Sequence, residues 1–228
     1  MEKNDKYTHI FRVSHQLFLS QGYASATIRQ ISDQAGVSLG LTNHFFSSKE
    51  ALACQVLGMI SAYSSLFASV THPCQNPLTR TVLAQRIRIL FLLNSRYRRF
   101  YLDTLKQDIL FSKLEKTPGR ILYQLADLYH FPADEDMLLL YGIHIPYHYE
   151  KTLVLGRENG LFSTILPEDI PDYITIAAFE HFLDQAVLNT ALVDARKAAD
   201  SVLTRMPSQV PEDFLLNYLR ENSRESAQ

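Results

Sequence analysis

A serine with a glycine two residues to either side is the part of this 228-residue sequence that most resembles an enzyme's nucleophile. The run Gly36-Val37-Ser38-Leu39-Gly40 matches G-x-S-x-G, the pattern of the nucleophile elbow in α/β-hydrolases. That elbow requires a buried strand before the serine, whereas residues 31–35 are half polar and have helical spacing. We therefore expect that the chain is not an enzyme, and we keep a hydrolase as a rival hypothesis.

Aromatic and histidine residues recur around Pro146. Tyr141, His144 and His148 share one face of a helix, which Pro146 is expected to kink because it lacks a backbone donor. With Tyr147 they could line a small-molecule pocket, and a partly exposed helix with hydrogen-bonded Tyr and His tips is the alternative. His144 and His148 also have the i, i+4 spacing of metal ligands. No Cys lies nearby in the sequence and no H-E-x-x-H occurs, so we expect no metal site and no cofactor.

Residues 27–38 predict two short helices joined by a tight turn. Thr27 and Gln30 have the spacing of a capping box, which starts a helix. An apolar stripe follows at helical spacing: Ile28, Ile31 and Ala35. Gly36 follows the stripe and can end the helix with left-handed backbone, and Ser38 can cap the next helix. This is the plan of a helix-turn-helix, which places its second helix in the major groove of DNA.

The second helix of this motif has two groups of residues with different expected roles. Three apolar residues are expected to anchor it to the core: Leu41, Phe45 and Phe46. Three others are expected on its surface: Leu39, Thr42 and Asn43. No Asp or Glu occurs in residues 36–48, which suits a helix that approaches phosphates. Ser47 and Glu50 form a second capping-box pattern that predicts a new helix from about Ser48.

A longer set of residues at fixed spacing resembles the N-terminal signature of the tetracycline-repressor (TetR) family. The resemblance is carried by Ile10, Leu17-Phe18, Gly22-Tyr23, Thr27-Ile28, Ile31, Ala35-Gly36-Val37-Ser38, Gly40, Phe46, Ser48-Lys49-Glu50 and Leu52. It implies an all-α homodimer with a helix-turn-helix DNA-binding domain of three helices at 1–52 and an effector-binding and dimerisation domain at 53–228. It also implies a DNA-binding transcriptional regulator, a repressor that a small-molecule effector releases from its operator.

Matching the family's motif position by position implies nine DNA-binding residues: Thr27, Arg29, Ser38, Leu39, Leu41, Thr42, Asn43, His44 and Lys49. Two depart from the usual pattern, since Leu39 stands where Lys or another polar residue is common and Asn43 where Tyr is common. Leu39 could touch a thymine methyl group, and Asn43 could bind adenine. Residues 1–52 contain only five Lys or Arg against four Asp or Glu. A helical ligand-binding protein without DNA function therefore remains an alternative.

Composition places the chain among ordinary globular proteins. The net charge of −2 argues against non-specific binding of polyanions by the whole surface. Two cysteines, Cys54 and Cys74, do not suggest a disulfide framework. The charged first six residues lack an apolar signal core, so we expect a cytoplasmic protein. Residues 51–79 contain no Lys, Arg, Asp or Glu; we expect a helix buried between domains rather than a membrane segment, because serines are spread through it.

Helical spacing dominates the remaining sequence. It predicts helices near 5–21, 27–34, 38–44, 48–71, 77–95, 97–115, 119–130, 134–159, 167–191, 193–206 and 211–222. The residues from Tyr173 to Leu192 form a wide apolar face. By resemblance to the family we expect homodimer contacts in the helices within 167–206, with the core of the monomer as the alternative.

Seven basic residues lie between positions 80 and 106: Arg80, Arg86, Arg88, Arg96, Arg98, Arg99 and Lys106. We expect a solvated face paired with acids such as Asp103 and Asp108. A second contact with nucleic acid and a pocket for an acidic effector are the alternatives.

Overall fold

Every regular element in the described part of the chain is helical, as the sequence predicts. The computed structural model describes residues 3–109 and 119–225. The α-helices are α1 (Lys3–Ser25), α2 (Ile28–Gln34), α3 (Leu39–Phe45), α4 (Lys49–Thr71), α5 (Pro77–Asn94), α6 (Arg98–Lys106), α7 (Arg120–Tyr129), α8 (Glu135–Leu139), α9 (Ile145–Glu158), α10 (Ile170–Phe179), α11 (Gln185–Arg205) and α12 (Glu212–Glu225). A π-helical segment (Leu140–His144) joins α8 to α9, and a 3₁₀ turn (Pro167–Asp169) precedes α10.

The helices form two compact units. Among the described residues, unit 1 comprises 3–63, 92–109 and 207–225, and unit 2 comprises 64–91 and 119–206. Helices α4 and α5 contribute residues to both units, and α12 belongs to unit 1 although it ends the chain. The functional division at residue 52 stays a prediction.

Unit 1 is built around α1, which packs against α2, α6 and α12. The buried rings of Phe18 on α1 and Phe100 on α6 stack with their centroids 5.2 Å apart. The chain bends at Gly22, where φ is +80°. Just beyond it, the Ala24 N–H donates to Asp103 Oδ2 on α6 at 2.9 Å. Helix α6 therefore fixes the end of α1 shortly before α2 begins.

Unit 2 has an apolar core to which the end of α4, α5, α7, α10 and α11 contribute. Two ion pairs lie beside it. Arg86, which is only 2% exposed, donates to the Asp172 carboxylate, and Arg88 forms a bidentate pair with buried Glu150. The expectation of one solvated face across residues 80–106 is therefore wrong for Arg86, because its side chain is buried and paired with Asp172.

The C-terminal helices divide differently from the predicted 167–191 and 193–206. Helix α10 ends at Phe179 and α11 is unbroken through residue 192, so the predicted boundary there is wrong. At the actual break, the N–H groups of Phe182 and Leu183 both donate to the Phe179 carbonyl at 2.9 Å. No Gly or Pro marks this break, and buried apolar residues continue across it. The spacing of apolar residues therefore does not indicate that a helix ends here.

The predicted helix 134–159 is irregular just before Pro146 rather than at it. Its π-helical segment closes with the Ile145 N–H donating to the Leu140 carbonyl. The wide turn accommodates a proline that cannot donate to the preceding turn, and this is a usual cause of π-bulges and kinks. The kink inferred from Pro146 thus takes the form of a π-helical segment.

The other predicted helices begin and end within four residues of the observed ones, apart from 97–115. There α6 ends at Lys106, and Asp108 in the following turn has a left-handed φ of +52°. Residues 110–115 of that prediction lie outside the described residues.

Within the described residues, α4 is the one helix long and apolar enough to cross a membrane by length and composition alone. Half of its most apolar 18-residue stretch is buried inside the protein, and core helices of soluble proteins can have the same length and composition. Leu52, Val56, Met59 and Ile60 are fully buried at helical spacing along it. Their burial agrees with the interpretation of α4 as a packed helix.

Candidate nucleic-acid interface

The first helix of the motif begins with the predicted capping box. The Gln30 N–H donates to Thr27 Oγ1 at 3.1 Å, and the Thr27 N–H donates to Gln30 Oε1 at 2.9 Å. These reciprocal bonds satisfy two backbone donors that the helix itself cannot pair. Ile31 is fully buried, while Thr27 and Arg29 are exposed. The start of α2 is therefore fixed by local hydrogen bonds, and Arg29 is left on the surface.

The turn between the two helices depends on Gly36. Its φ of +61° is left-handed, and its N–H donates to the Asp33 carbonyl at 3.1 Å. The chain then reaches Ser38, whose hydroxyl accepts from the Leu41 N–H at 3.2 Å and caps α3. Because a helix rather than a strand precedes Ser38, the serine does not stand on a nucleophile elbow.

A pair of hydroxyl groups connects the two helices. Ser32 Oγ on α2 and Thr42 Oγ1 on α3 are hydrogen-bonded at 2.8 Å, and both residues are buried. The surface position predicted for Thr42 is wrong, because its side chain is fully buried, and its contact with DNA stays a prediction. Sequence reasoning missed Ser32. The available signal was a hydroxyl next to the apolar stripe of α2 at a position that can face α3.

The outward face of α3 consists of Leu39, Gly40, Asn43 and His44, all of them exposed. Leu41 is only partly exposed and contributes less to this face. None of the four exposed residues is acidic, so nothing on the face repels a phosphate. Leu39, at the start of α3, is an exposed large apolar side chain on this otherwise polar face, which makes it a candidate for contact with a partner.

The C-terminal end of α3 is held by aromatic packing. The ring of Tyr7 on α1 stacks on Phe46 with centroids 4.7 Å apart and meets Phe45 edge-on at 5.8 Å. The Tyr7 hydroxyl also accepts from the Gln55 side-chain amide on α4. Tyr7 thus connects α1, α3 and α4, which its sequence position alone does not indicate.

The start of α4 corrects the predicted cap and shows what Lys49 bonds in the absence of DNA. Ser48, not Ser47, caps this helix, because its hydroxyl accepts from the Ala51 N–H at 3.1 Å. Lys49 does not point its ammonium group at solvent: Nζ donates to the Tyr23 and Ala26 carbonyls at 3.1 and 2.9 Å. Burial lowers the pKa of Lys49 from its ordinary value, although nearby acids oppose the shift. Its charge fixes α4 to the end of α1, so a direct phosphate contact would have to break these bonds.

The four residues expected to line an effector pocket differ in exposure and in their ring contacts. Tyr147 is buried, whereas His148 is exposed and His144 is intermediate. Tyr141 stacks instead on His181, with ring centroids 4.8 Å apart. A pocket at these residues stays a prediction.

A cavity of about 990 Å³ lies elsewhere in unit 2. It is lined by residues 72–76, 78 and 79, by Tyr129 and by one face of α11 that includes Val187, Asp194 and Lys197. Its volume falls at the upper end of the range of small-molecule sites. The cluster from Tyr141 to His148 lines neither this cavity nor a second one of about 610 Å³ in unit 1.

Comparison with known proteins gives one family match. Residues 10–56, which contain all of α2 and α3, match the family model described as bacterial regulatory proteins, tetR family. No curated protein sequence matches the chain.

Several solved structures are similar at a distance. A gamma-butyrolactone receptor (ArpA-like protein) shares 16% identity over 89% of this chain and 100% of its own, with a TM-score of 0.40. A putative tetR family regulator from Shewanella sp. PV-4 shares 20% identity over 74% and 95%, with a TM-score of 0.39. AmtR of Mycobacterium smegmatis shares 16% over 89% and 94%, with a TM-score of 0.34. These scores are too low to transfer a ligand or an operator to this chain.

Proposed function

We propose that this chain, whose residues 10–56 match the tetR family of bacterial regulatory proteins, is a member of that family and a repressor that a small-molecule effector releases from operator DNA. Regulators of this family bind DNA and small effectors, act as dimers and are generally not enzymes. The observation that carries the proposal is the exposed, acid-free face of α3. The opposite side of this helix is held against α2 by the bond between Thr42 and Ser32. A soluble protein of this kind would act in the cytoplasm.

The outward residues of α3 have the chemistry to read base edges. The Asn43 amide can bond both N6 and N7 of adenine, and the Leu39 side chain can pack on a thymine methyl group. Exposed Thr27 and Arg29 at the start of α2 are suited to phosphate contacts that set the register. With Lys49 engaged elsewhere, we expect few phosphate contacts per protomer and a modest salt dependence for each half-site.

A second copy of the chain is the proposed partner, because two recognition helices must reach successive major grooves. The predicted interface lies in the helices within 167–206. Much of the apolar face there is buried in the monomer's own core, but Tyr173 and Val193 remain exposed. Leu161 and Phe162, just before this region, are also exposed. Tyr173→Arg and Val193→Asp should raise the monomer fraction in sedimentation equilibrium; an unchanged dimer would place the interface elsewhere.

The proposed mechanism couples the effector to DNA through α4. Residues 49–63 of this helix belong to unit 1 and residues 64–71 to unit 2. An effector that binds unit 2 and displaces α4 would alter the spacing of the two recognition helices. The affinities for effector and operator must then be reciprocally coupled. Equal effector affinity of the free and DNA-bound protein, measured by calorimetry, would contradict this mechanism.

Fluorescence anisotropy on labelled DNA from the promoter of its own gene tests DNA binding directly. We expect tight binding that scrambled DNA of equal length does not compete, with affinity falling as salt rises. Asn43→Ala should weaken binding by about 1–3 kcal/mol, the worth of a bidentate base contact. Asn217→Ala, an exposed asparagine on α12, is the matched control and should bind as wild type. Weak, unselective binding of all DNA tried would favour the alternative of a helical ligand-binding protein.

A further inference from the structure

The C-terminal helix packs into the unit that carries the helix-turn-helix. Leu215 and Leu219 on one face of α12 are each 1% exposed. The ring of Phe214 meets Tyr63 on α4 with centroids 5.0 Å apart. Glu212, in the first turn of α12, forms an ion pair with Arg12 on α1 at 2.6 Å. Helix α12 is thus part of the core that supports α1, although residues 72–211 of the sequence separate it from α4.

A buried tyrosine hydroxyl group bonds the segment that leads into α12. Tyr97, at the start of α6, is fully buried, and its hydroxyl oxygen accepts from the Val210 N–H at 3.2 Å. The same oxygen lies 2.7 Å from His15 Nε2 on α1. Burial lowers the pKa of His15 to about 4, so the imidazole is neutral at pH 7, and with the ring proton on Nδ1 its Nε2 accepts a hydrogen bond from the tyrosine hydroxyl. In that tautomer the hydroxyl accepts from the Val210 N–H and donates to His15.

A second set of bonds lies beside the first. The Arg96 backbone N–H donates to the Ser208 carbonyl at 3.5 Å, and its guanidinium donates to Gln209 Oε1 at 2.8 Å. The neighbouring residues Arg96 and Tyr97 therefore hold three successive residues, 208–210. Further along the same helix, Asp103 accepts from the Ala24 N–H. Helix α1 is consequently held at His15 and at its C-terminal end.

We propose that Tyr97 is a positioning residue for DNA binding. Its hydroxyl joins residues 207–225 to α1, so that the C-terminal helix helps to hold the DNA-binding unit in place. The proposal rests on the proposed function, since it assigns to Tyr97 the task of placing α1, and with it α2 and α3, for operator recognition. Without the hydroxyl, the Val210 N–H and His15 Nε2 both lose a buried partner. The fraction of molecules that hold α1 in place falls, and the apparent operator affinity falls with it. Non-specific binding, which depends on charge rather than orientation, is unaffected.

The test compares two tyrosine hydroxyl deletions in the full-length chain. Tyr97→Phe keeps the ring and removes the hydroxyl, and Tyr123→Phe removes an exposed tyrosine hydroxyl on α7 in unit 2. Anisotropy is measured on operator and on scrambled DNA. We expect Tyr97→Phe to weaken operator binding by about tenfold or more and to leave scrambled DNA unchanged. We expect Tyr123→Phe to behave as wild type on both.

Hydrogen exchange measured by mass spectrometry separates release of the segment from general unfolding. In Tyr97→Phe we expect faster exchange in peptides from 207–225 and unchanged exchange in peptides from 186–201 of unit 2. Faster exchange throughout, an equal loss on both DNAs, or wild-type operator binding would overturn the role of Tyr97. A wild-type protein that fails to discriminate operator from scrambled DNA would overturn the proposed function itself, and this inference with it.

Discussion

Gly36→Ala tests whether the turn of the motif depends on left-handed backbone. With φ at +61°, an L residue pays about 1–2 kcal/mol for this conformation. A Cβ atom added there meets no atom within 4 Å, so no steric clash adds to the cost. The free energy of unfolding should therefore fall by about 1–2 kcal/mol, and the fall reflects backbone conformation alone.

Gly40→Ala is the matched control in the same motif. Gly40 is exposed in α3, and an added Cβ atom would lie 4.0 Å from Ser38 Oγ, an ordinary contact. Alanine has the higher helix propensity, so this variant should be more stable than wild type by up to about 1 kcal/mol. Its methyl group nevertheless lies on the face proposed to meet DNA, so operator affinity should fall while stability rises.

Urea unfolding followed by circular dichroism measures both stabilities, and anisotropy measures the affinities. Equal stability of Gly36→Ala and wild type would refute the argument about the turn. A Gly40→Ala protein that is more stable and binds operator as tightly as wild type would refute the placement of this part of α3 against DNA.

Three further substitutions give independent tests. Thr42→Val should cost about 1 kcal/mol of unfolding free energy in urea titrations, since Ser32 keeps its bond to the Ile28 carbonyl; a neutral result would mean that the hydroxyl pair does not join the helices. Leu39→Lys should steepen the log–log salt slope of operator binding by about 0.9, with stability changed by less than about 0.5 kcal/mol; an unchanged slope would place residue 39 away from phosphates. Because burial lowers the pKa of His15 from 6.5 to about 4, the unfolded chain binds more protons between these values. Stability should therefore fall by about 2 kcal/mol from pH 7 to pH 5, and His15→Gln should lose that part of the pH dependence.

The local structure of the motif could be predicted because each signal acts within a few residues. The capping box at Thr27, the left-handed turn at Gly36 and the cap at Ser38 all depend on neighbours in sequence, and all three are observed. Position on a helix face was harder, as Thr42 shows. Its hydroxyl looked like a surface group, and only its bond to Ser32 explains why a polar side chain is buried there.

Contacts between distant parts of the chain could not be predicted. Nothing near Tyr97 indicates that its hydroxyl bonds a backbone group 113 residues later. Likewise, the division of the chain at residue 52 gave no reason to expect α12 in the same unit as α1. Arg86 was expected on the surface because charge is usually solvated, whereas Asp172, 86 residues away, makes its burial tolerable.

Selection of bound sequences from a pool of random duplex DNA, using the purified full-length protein, tests the central claim most directly because it requires no knowledge of the operator. We expect enrichment of an inverted repeat whose half-site centres lie about 10 base pairs, or a multiple of that, apart. The same selection with Asn43→Ala should relax the preference at one base pair in each half-site. Repeated rounds that enrich no sequence would contradict the assignment of α3 as a DNA-reading helix.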